Sequence, residues 1–124
     1  MKITDVQTIR LRAAIPADGQ VFSRSGVRST RSTTLVRVDT DEGISGIGSA
    51  SGNGELIEVI VAKVIKPLLV GMDPTEIDAI WDRVYVRGGH KEFGTRGIGV
   101  VALGGVALAV GDILGKAGRV PLYH

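Results

Sequence analysis

Between Arg96 and Gly118 the sequence reads as one long apolar helix in which Gly97, Gly104, Gly111 and Gly118 recur every seven residues. Seven residues is close to two helical turns, so these glycines leave a strip of bare backbone along one side. Each costs about 1 kcal/mol relative to alanine in a helix interior. A helix so poor in intrinsic propensity needs close packing, and its apolar surface is large for a short chain to cover. Either something else covers it, or the chain self-associates as a homo-oligomer. A membrane span is the weaker reading: the uncharged stretch Gly97 to Gly111 is about 15 residues, short of the ~20 a bilayer core requires. Asp112 follows at once, and no membrane is expected.

The 124 residues leave room for a single domain, 1–124. Hydrophobic residues at 44% against 23% charged exclude a disordered chain. Aromatics are only 4%, so the core is expected from Val, Ile, Leu and Ala. The net charge of +2 is spread among interleaved acids and bases, and only Arg24, Arg28 and Arg31 approach a cluster, so no nucleic acid is expected as partner. The absence of cysteine excludes disulfides and thiolate metal sites and suits a reducing cytoplasm. The opening Met1-Lys2-Ile3-Thr4-Asp5 lacks the apolar core of a signal peptide, so a cytoplasmic location is expected.

The first half, about 2–50, reads as strands. Ile9 and Leu11 alternate with polar neighbours, whereas Ile3 and Val6 fall out of phase, which predicts a bulge early in the first strand. From Thr33 to Thr40, Thr34, Val36 and Val38 share one face and Arg37 and Asp39 the other. Asp41-Glu42-Gly43 predicts a hairpin turn into the third strand. Pro16 to Ser32 has no periodicity and reads as a long loop, a length that usually signals function.

The second half, about 54–118, reads as helices. Glu55 to Lys66 is apolar nearly all round and is expected to end at Pro67. Asp73-Pro74-Thr75-Glu76 reads as a helix start, and Ile77, Ile80, Trp81 and Val84 as its buried stripe.

The inventory of reactive groups is thin. His90 in a glycine loop and His124 have no motif around them, and no metal-ligand spacing occurs. No catalytic or metal residue is therefore assigned. Gly46 to Gly54 lies between a strand and a helix and could cradle a phosphate or nucleotide, but the preceding strand is half of a hairpin rather than of a βαβ unit. These glycines read chiefly as a sharp strand-to-helix transition. Arg24, Arg28 and Arg31 can pair with carboxylate or phosphate, and Val21 and Phe22 add apolar contact beside them.

The opening Met1 to Val6, the strand Leu35-Val36-Arg37-Val38, the turn Asp41-Glu42-Gly43, Gly46-Ile47-Gly48 and the closing Asp112-Ile113-Leu114-Gly115-Lys116-Ala117 with Pro121-Leu122-Tyr123 occur in an order that resembles a known family. It is that of the N-terminal capping domain of the mandelate racemase and muconate lactonizing enzyme group in the enolase superfamily. The chain has Gly111 where members commonly carry Trp, Ser49 where they carry Glu, and Ala107 where they carry Asp.

The resemblance implies an α+β fold: a three-stranded antiparallel meander followed by about three helices. It implies enzymes (racemases, dehydratases or cycloisomerases) that abstract a proton next to a substrate carboxylate, with Mg²⁺ stabilising the enediolate. Their catalytic groups sit on a (β/α) barrel absent from this chain, supplied by the parent protein or a separate one. The capping domain would set specificity for a small carboxylate substrate and be inactive alone. Its two loops map near Val21, Phe22, Arg24 and Arg28, and near Ser49, Ser51 and Asn53.

Overall fold

Alternation of β-branched residues in two long runs builds the sheet. In a computed structural model, which describes residues 1–14, 21–23, 26–28, 30–84 and 98–119, strand β1 (Ile3–Ala14) pairs antiparallel with β4 (Thr30–Thr40), which pairs antiparallel with β5 (Ser45–Ala50). A small ribbon, β2 (Val21–Ser23) with β3 (Gly26–Arg28), is inserted between β1 and β4. The early bulge is present: Ile3 faces Thr40 while Asp5 faces Asp39, so the register slips by one. That slip turns both Ile3 and Val6 into the core. It also leaves Ile9 and Leu11 on the outer face, beside Leu35 and Thr33, where they are 38% and 47% exposed.

Two boundaries differ from the sequence reading. Pro16 to Ser32 is not all loop, because the inner ends of the long strands extend until Ala14 pairs with Thr30. Beyond them Val21 pairs with Arg28 and Phe22 with Val27. The pairing partner of each run is distant in sequence, so local periodicity does not reveal it. The first helical run continues past Pro67: α1 (Gly54–Ile60) passes through a π-helical turn (Val61–Ile65) into α2 (Lys66–Leu69). Proline normally breaks a helix by clashing with the carbonyl four residues back. Here the wider turn immediately before it, closed by Lys66 N–H donating to the Val61 carbonyl, makes room for the ring. The run stops at Gly71, whose φ of 93° suits glycine. Gly71 N–H donates to the Ile3 carbonyl and Ile3 N–H to the Met72 carbonyl, tying the helix end to β1.

Asp73 caps a turn rather than the next helix. Its Oδ1 accepts from Thr75 N–H at 2.9 Å and from Thr75 Oγ1 at 2.7 Å, and α3 is the short Ile77–Trp81. Its apolar stripe is only half buried: Ile80 and Val84 are covered, whereas Ile77 and Trp81 are about half exposed. They line an apolar groove of about 100 Å³ against α4, whose wall includes Ala107 and Gly111.

Helix α4 (Ile98–Gly118) has 21 residues, long and apolar enough by length and composition to cross a membrane. Its packing accounts for that composition. Ala102, Leu103, Val106, Ala109, Val110 and Ile113 recur at helical spacing and are buried in one core with Val36, Val38, Ile57, Val61 and Leu69. The helix lies directly on β5, and glycines of the strand permit this; of the strip at intervals of seven, Gly97 lies outside the described residues. A methyl group on Gly48 would overlap the Gly105 carbonyl, and one on Gly46 the Ala109 carbonyl. Gly104 faces open space. Gly104→Ala is therefore expected to stabilise the fold by up to about 1 kcal/mol through helix propensity. Thermal melting checks this; a lowered midpoint would show that the bare backbone at Gly104 is needed.

Candidate functional site

Both excursions from the sheet leave at the same end. β1 exits there at Ala14, β4 enters at Thr30, β5 ends at Ala50 opposite Thr34, and α1 begins at Gly54. Between them opens a polar cleft of about 720 Å³ whose walls include Arg10, Arg12, Ser32, Thr33, Asn53 and Glu55. Arg10 is fixed as one wall: its Nε lies 3.1 Å from Glu58 Oε2 and its Nη1 3.7 Å from Glu55 Oε1. Gly54 makes this possible, since a methyl there would lie 2.9 Å from both Arg10 Cδ and Thr34 Oγ1. Arg12, one rung further along the same face of β1, is exposed and forms no ion pair or hydrogen bond among the described residues.

The expected loop residues divide. Val21, Phe22 and Arg28 lie in the ribbon, and Arg24 falls outside the described residues. Asn53 reaches the cleft but also caps α1, its Oδ1 accepting from Glu55 N–H at 3.0 Å and Leu56 N–H at 3.3 Å. Its amide nitrogen remains a donor. Ser51 is exposed beside it. Ser49 points to the opposite, outer face of β5, where it borders a separate shallow cleft of about 360 Å³ with Leu35, Ile47 and Leu108. The sequence reading did not include Arg10, Arg12, Ser32 or Thr33. The available signal was strict alternation from Val6, which puts Thr8, Arg10 and Arg12 on the same face as Val6.

The closing motif of α4 also has a concrete task. β5 is an edge strand, and an exposed edge invites pairing with another chain. Asp112 Oδ2 accepts from Ile47 N–H at 3.0 Å, and Lys116 Nζ donates to the Ser45 carbonyl at 2.6 Å while lying 3.0 Å from Asp112. Burial pushes the Asp112 carboxyl up, but the Ile47 N–H and Lys116 outweigh it and hold the group below the usual carboxylate range. Lys66 and Gln7 likewise lower Asp5, and Ser45 and Arg37 lower Asp39. Lowered folded values mean stabilisation that is complete above the ordinary value of 3.8 and is lost as pH falls through the folded ones. The fold is thus expected to weaken steeply below about pH 4, and to do so less in Asp112→Asn, as denaturant titration at pH 7 and pH 3 would show. An equal pH dependence in the two proteins would contradict this role of Asp112.

Glycine chemistry at Gly46 and Gly48 is taken up by the helix packed on them, which explains those residues without a phosphate. Among the described residues no three His, Cys, Asp or Glu side chains are grouped to hold a metal ion.

A three-stranded antiparallel sheet backed by three helices, with two excursions leaving the sheet at the end where an open cleft lies, defines an α+β domain of the capping type. The chain belongs to the mandelate racemase/muconate lactonizing enzyme N-terminal domain family of the enolase superfamily, which residues 6–124 match. It is 35% identical over 88 residues to an arabinonate dehydratase of Saccharolobus solfataricus, covering 69% of this chain and 23% of that one. It is 36% identical over 96 residues to a D-mannonate dehydratase of Novosphingobium aromaticivorans, covering 76% and 23%. Among solved structures, a candidate mandelate racemase from Bordetella bronchiseptica RB50 superposes with a TM-score of 0.86 at 36% identity, covering 94% of this chain and 30% of that chain. An enolase-superfamily member from Polaromonas sp. JS666 gives 0.81 at 33% identity, covering 99% and 32%. The chain spans about a quarter of the length of the curated relatives it matches.

Proposed function

We propose that this domain closes over an acid-sugar substrate held on a (β/α) barrel, and that the ribbon and the 51–53 turn set which substrate is accepted. The observation that carries the reading is the shared exit of both excursions over one donor-rich cleft. The relatives named as arabinonate and D-mannonate dehydratases support a polyhydroxylated carboxylate as the substrate class. Proton abstraction beside the carboxylate, with Mg²⁺ stabilising the charge that develops, belongs to the barrel. The contribution of this chain is to exclude water and orient the remote end of the substrate. Val21, Phe22, Arg24 and Arg28 act from the ribbon side. Ser51 and Asn53 act from the turn, whereas Ser49, on the outer face of β5, lies away from this cleft. A cytoplasmic location fits the cysteine-free composition.

The test is to join residues 1–124 to the barrel of the D-mannonate dehydratase in place of its own first domain. With Mg²⁺, the joined protein is expected to dehydrate acid sugars while the 124-residue chain alone gives no turnover. Turnover by the chain alone, or a folded, metal-loaded fusion inactive on every acid sugar tried, would overturn the proposal.

A further inference from the structure

The two arginines of the cleft differ in one decisive respect. Arg10 and Arg12 occupy successive rungs on the same face of β1, opposite Thr34 and Ser32. Arg10 is held by Glu58 and Glu55, so its charge is matched within the domain. Arg12 forms no ion pair among the described residues: Glu55, which also lines the cleft, is paired with Arg10, and the Ser32 hydroxyl and the Asn53 amide are neutral. In the open domain water solvates that guanidinium at no cost. When the cleft is closed against substrate the water is expelled, and an unpaired buried charge is strongly unfavourable. Closure becomes favourable if the substrate itself delivers a counter-charge, and guanidinium pairs with carboxylate or phosphate through two parallel hydrogen bonds.

Under the reading above, the carboxylate adjacent to the reacting carbon is engaged at the barrel. It is not available to Arg12. We infer that Arg12 binds a second anionic group at the remote end of the substrate, so that this cleft selects an acid sugar carrying two anionic groups over one carrying a single carboxylate. The inference rests on the capping reading for the orientation of the substrate, but the preference itself resides in this chain. Arg12 is a specificity-determining residue in this account, and Arg10 a positioning residue that holds the wall. Ser32 and the Asn53 amide nitrogen supply hydrogen bonds to the intervening hydroxyls.

The 124-residue chain can be tested directly by following its backbone amide resonances during titration with three probes: D-glucarate, 6-phospho-D-gluconate and D-gluconate. A probe with two anionic groups is expected to bind at least about tenfold more tightly than gluconate, as a charge-assisted bidentate pair would give. The shifts should centre on Arg12, Ser32 and Asn53. Arg12→Gln, a substitution at an exposed position, is expected to abolish the difference, and Arg12→Lys to restore part of it. Whether glucarate or the phosphosugar binds more tightly identifies the remote group as carboxylate or phosphate. Equal binding of gluconate, an unchanged preference in Arg12→Gln, or no saturable binding of any probe would overturn the inference. Inorganic phosphate binding as tightly as either doubly anionic probe would overturn it too, by showing a general anion site. Because no barrel is present, these failures are distinct from an inactive fusion, which would count against the capping function itself.

Discussion

Gly48→Ala is expected to lower the stability of the domain by about 3 kcal/mol or more. Overpacking a well-filled core typically costs 1–3 kcal/mol, and here the obstacle is rigid. The added methyl would overlap the Gly105 carbonyl and lie 2.8 Å from both the Ala109 nitrogen and the Leu108 Cβ. Neither partner can rotate away as a side chain would, so α4 must lift from β5 along its length. Val106, Ala109 and Val110, all on the buried face of the helix, would lose packing together. Denaturant titration of Gly48→Ala against Gly104→Ala separates the two kinds of glycine. A loss below about 1 kcal/mol for Gly48→Ala would show that the helix can shift without cost, contrary to the close approach described here.

Asp112→Ala is the second large change. It removes the acceptor of the Ile47 N–H, leaves Lys116 without its carboxylate, and opens the free edge of β5. Loss of one hydrogen bond to a charged group in a partly buried site is worth about 1.5–3 kcal/mol. The edge effect is expected to be as informative as the stability. With its capping carboxylate gone, the strand can pair with a second chain, so the variant should self-associate with rising concentration, as sedimentation would show. Asp112→Asn retains an oxygen acceptor for Ile47 and should remain closer to the parent in association. If Asp112→Ala sediments like the parent and melts within about 0.5 kcal/mol of it, the clasp does not protect the edge.

The parts of this fold that sequence makes legible are those fixed by short-range periodicity. Thr34, Val36 and Val38 alternate with Arg37 and Asp39, and the structure buries the first set while the second meets solvent or its polar partners. The phase slip between Ile3 and Val6 announces the bulge, because only an inserted residue can put the two on one face. What escapes is what depends on distant partners. Nothing local to Thr30-Arg31-Ser32 reveals that Ala14 to Arg12 lie opposite them. Nothing around Gly46 and Gly48 reveals that a helix more than fifty residues away rests on them. Pro67 misleads because the wider turn ahead of it has no sequence signature. The regular glycine strip misleads for a different reason. The buried face of α4 is set by Ala102, Val106, Ala109 and Ile113, and Gly104 falls on the other side.

The site divides in the same way. Asn53 and Ser51 were reachable through the family resemblance, which places a loop there. Arg12 was hidden because a strand alternating apolar and basic residues reads as an ordinary wet face. Only the pairing of β1 with β4 and the ion pairs of Arg10 reveal that Arg12 stands at the mouth of a cleft with no ion pair among the described residues.

The central claim is that specificity resides in the two excursions at this end of the sheet, and an exchange between joined proteins tests it most directly. In the fusion to the D-mannonate dehydratase barrel, residues 12–32 and 51–53 are replaced by the corresponding segments of the dehydratase's own first domain, and kcat/KM is compared over a panel of acid sugars. Substrate preference is expected to move with the exchanged segments while Mg²⁺ affinity is unchanged. A preference that stays the same after the exchange would place specificity in the barrel and contradict the account.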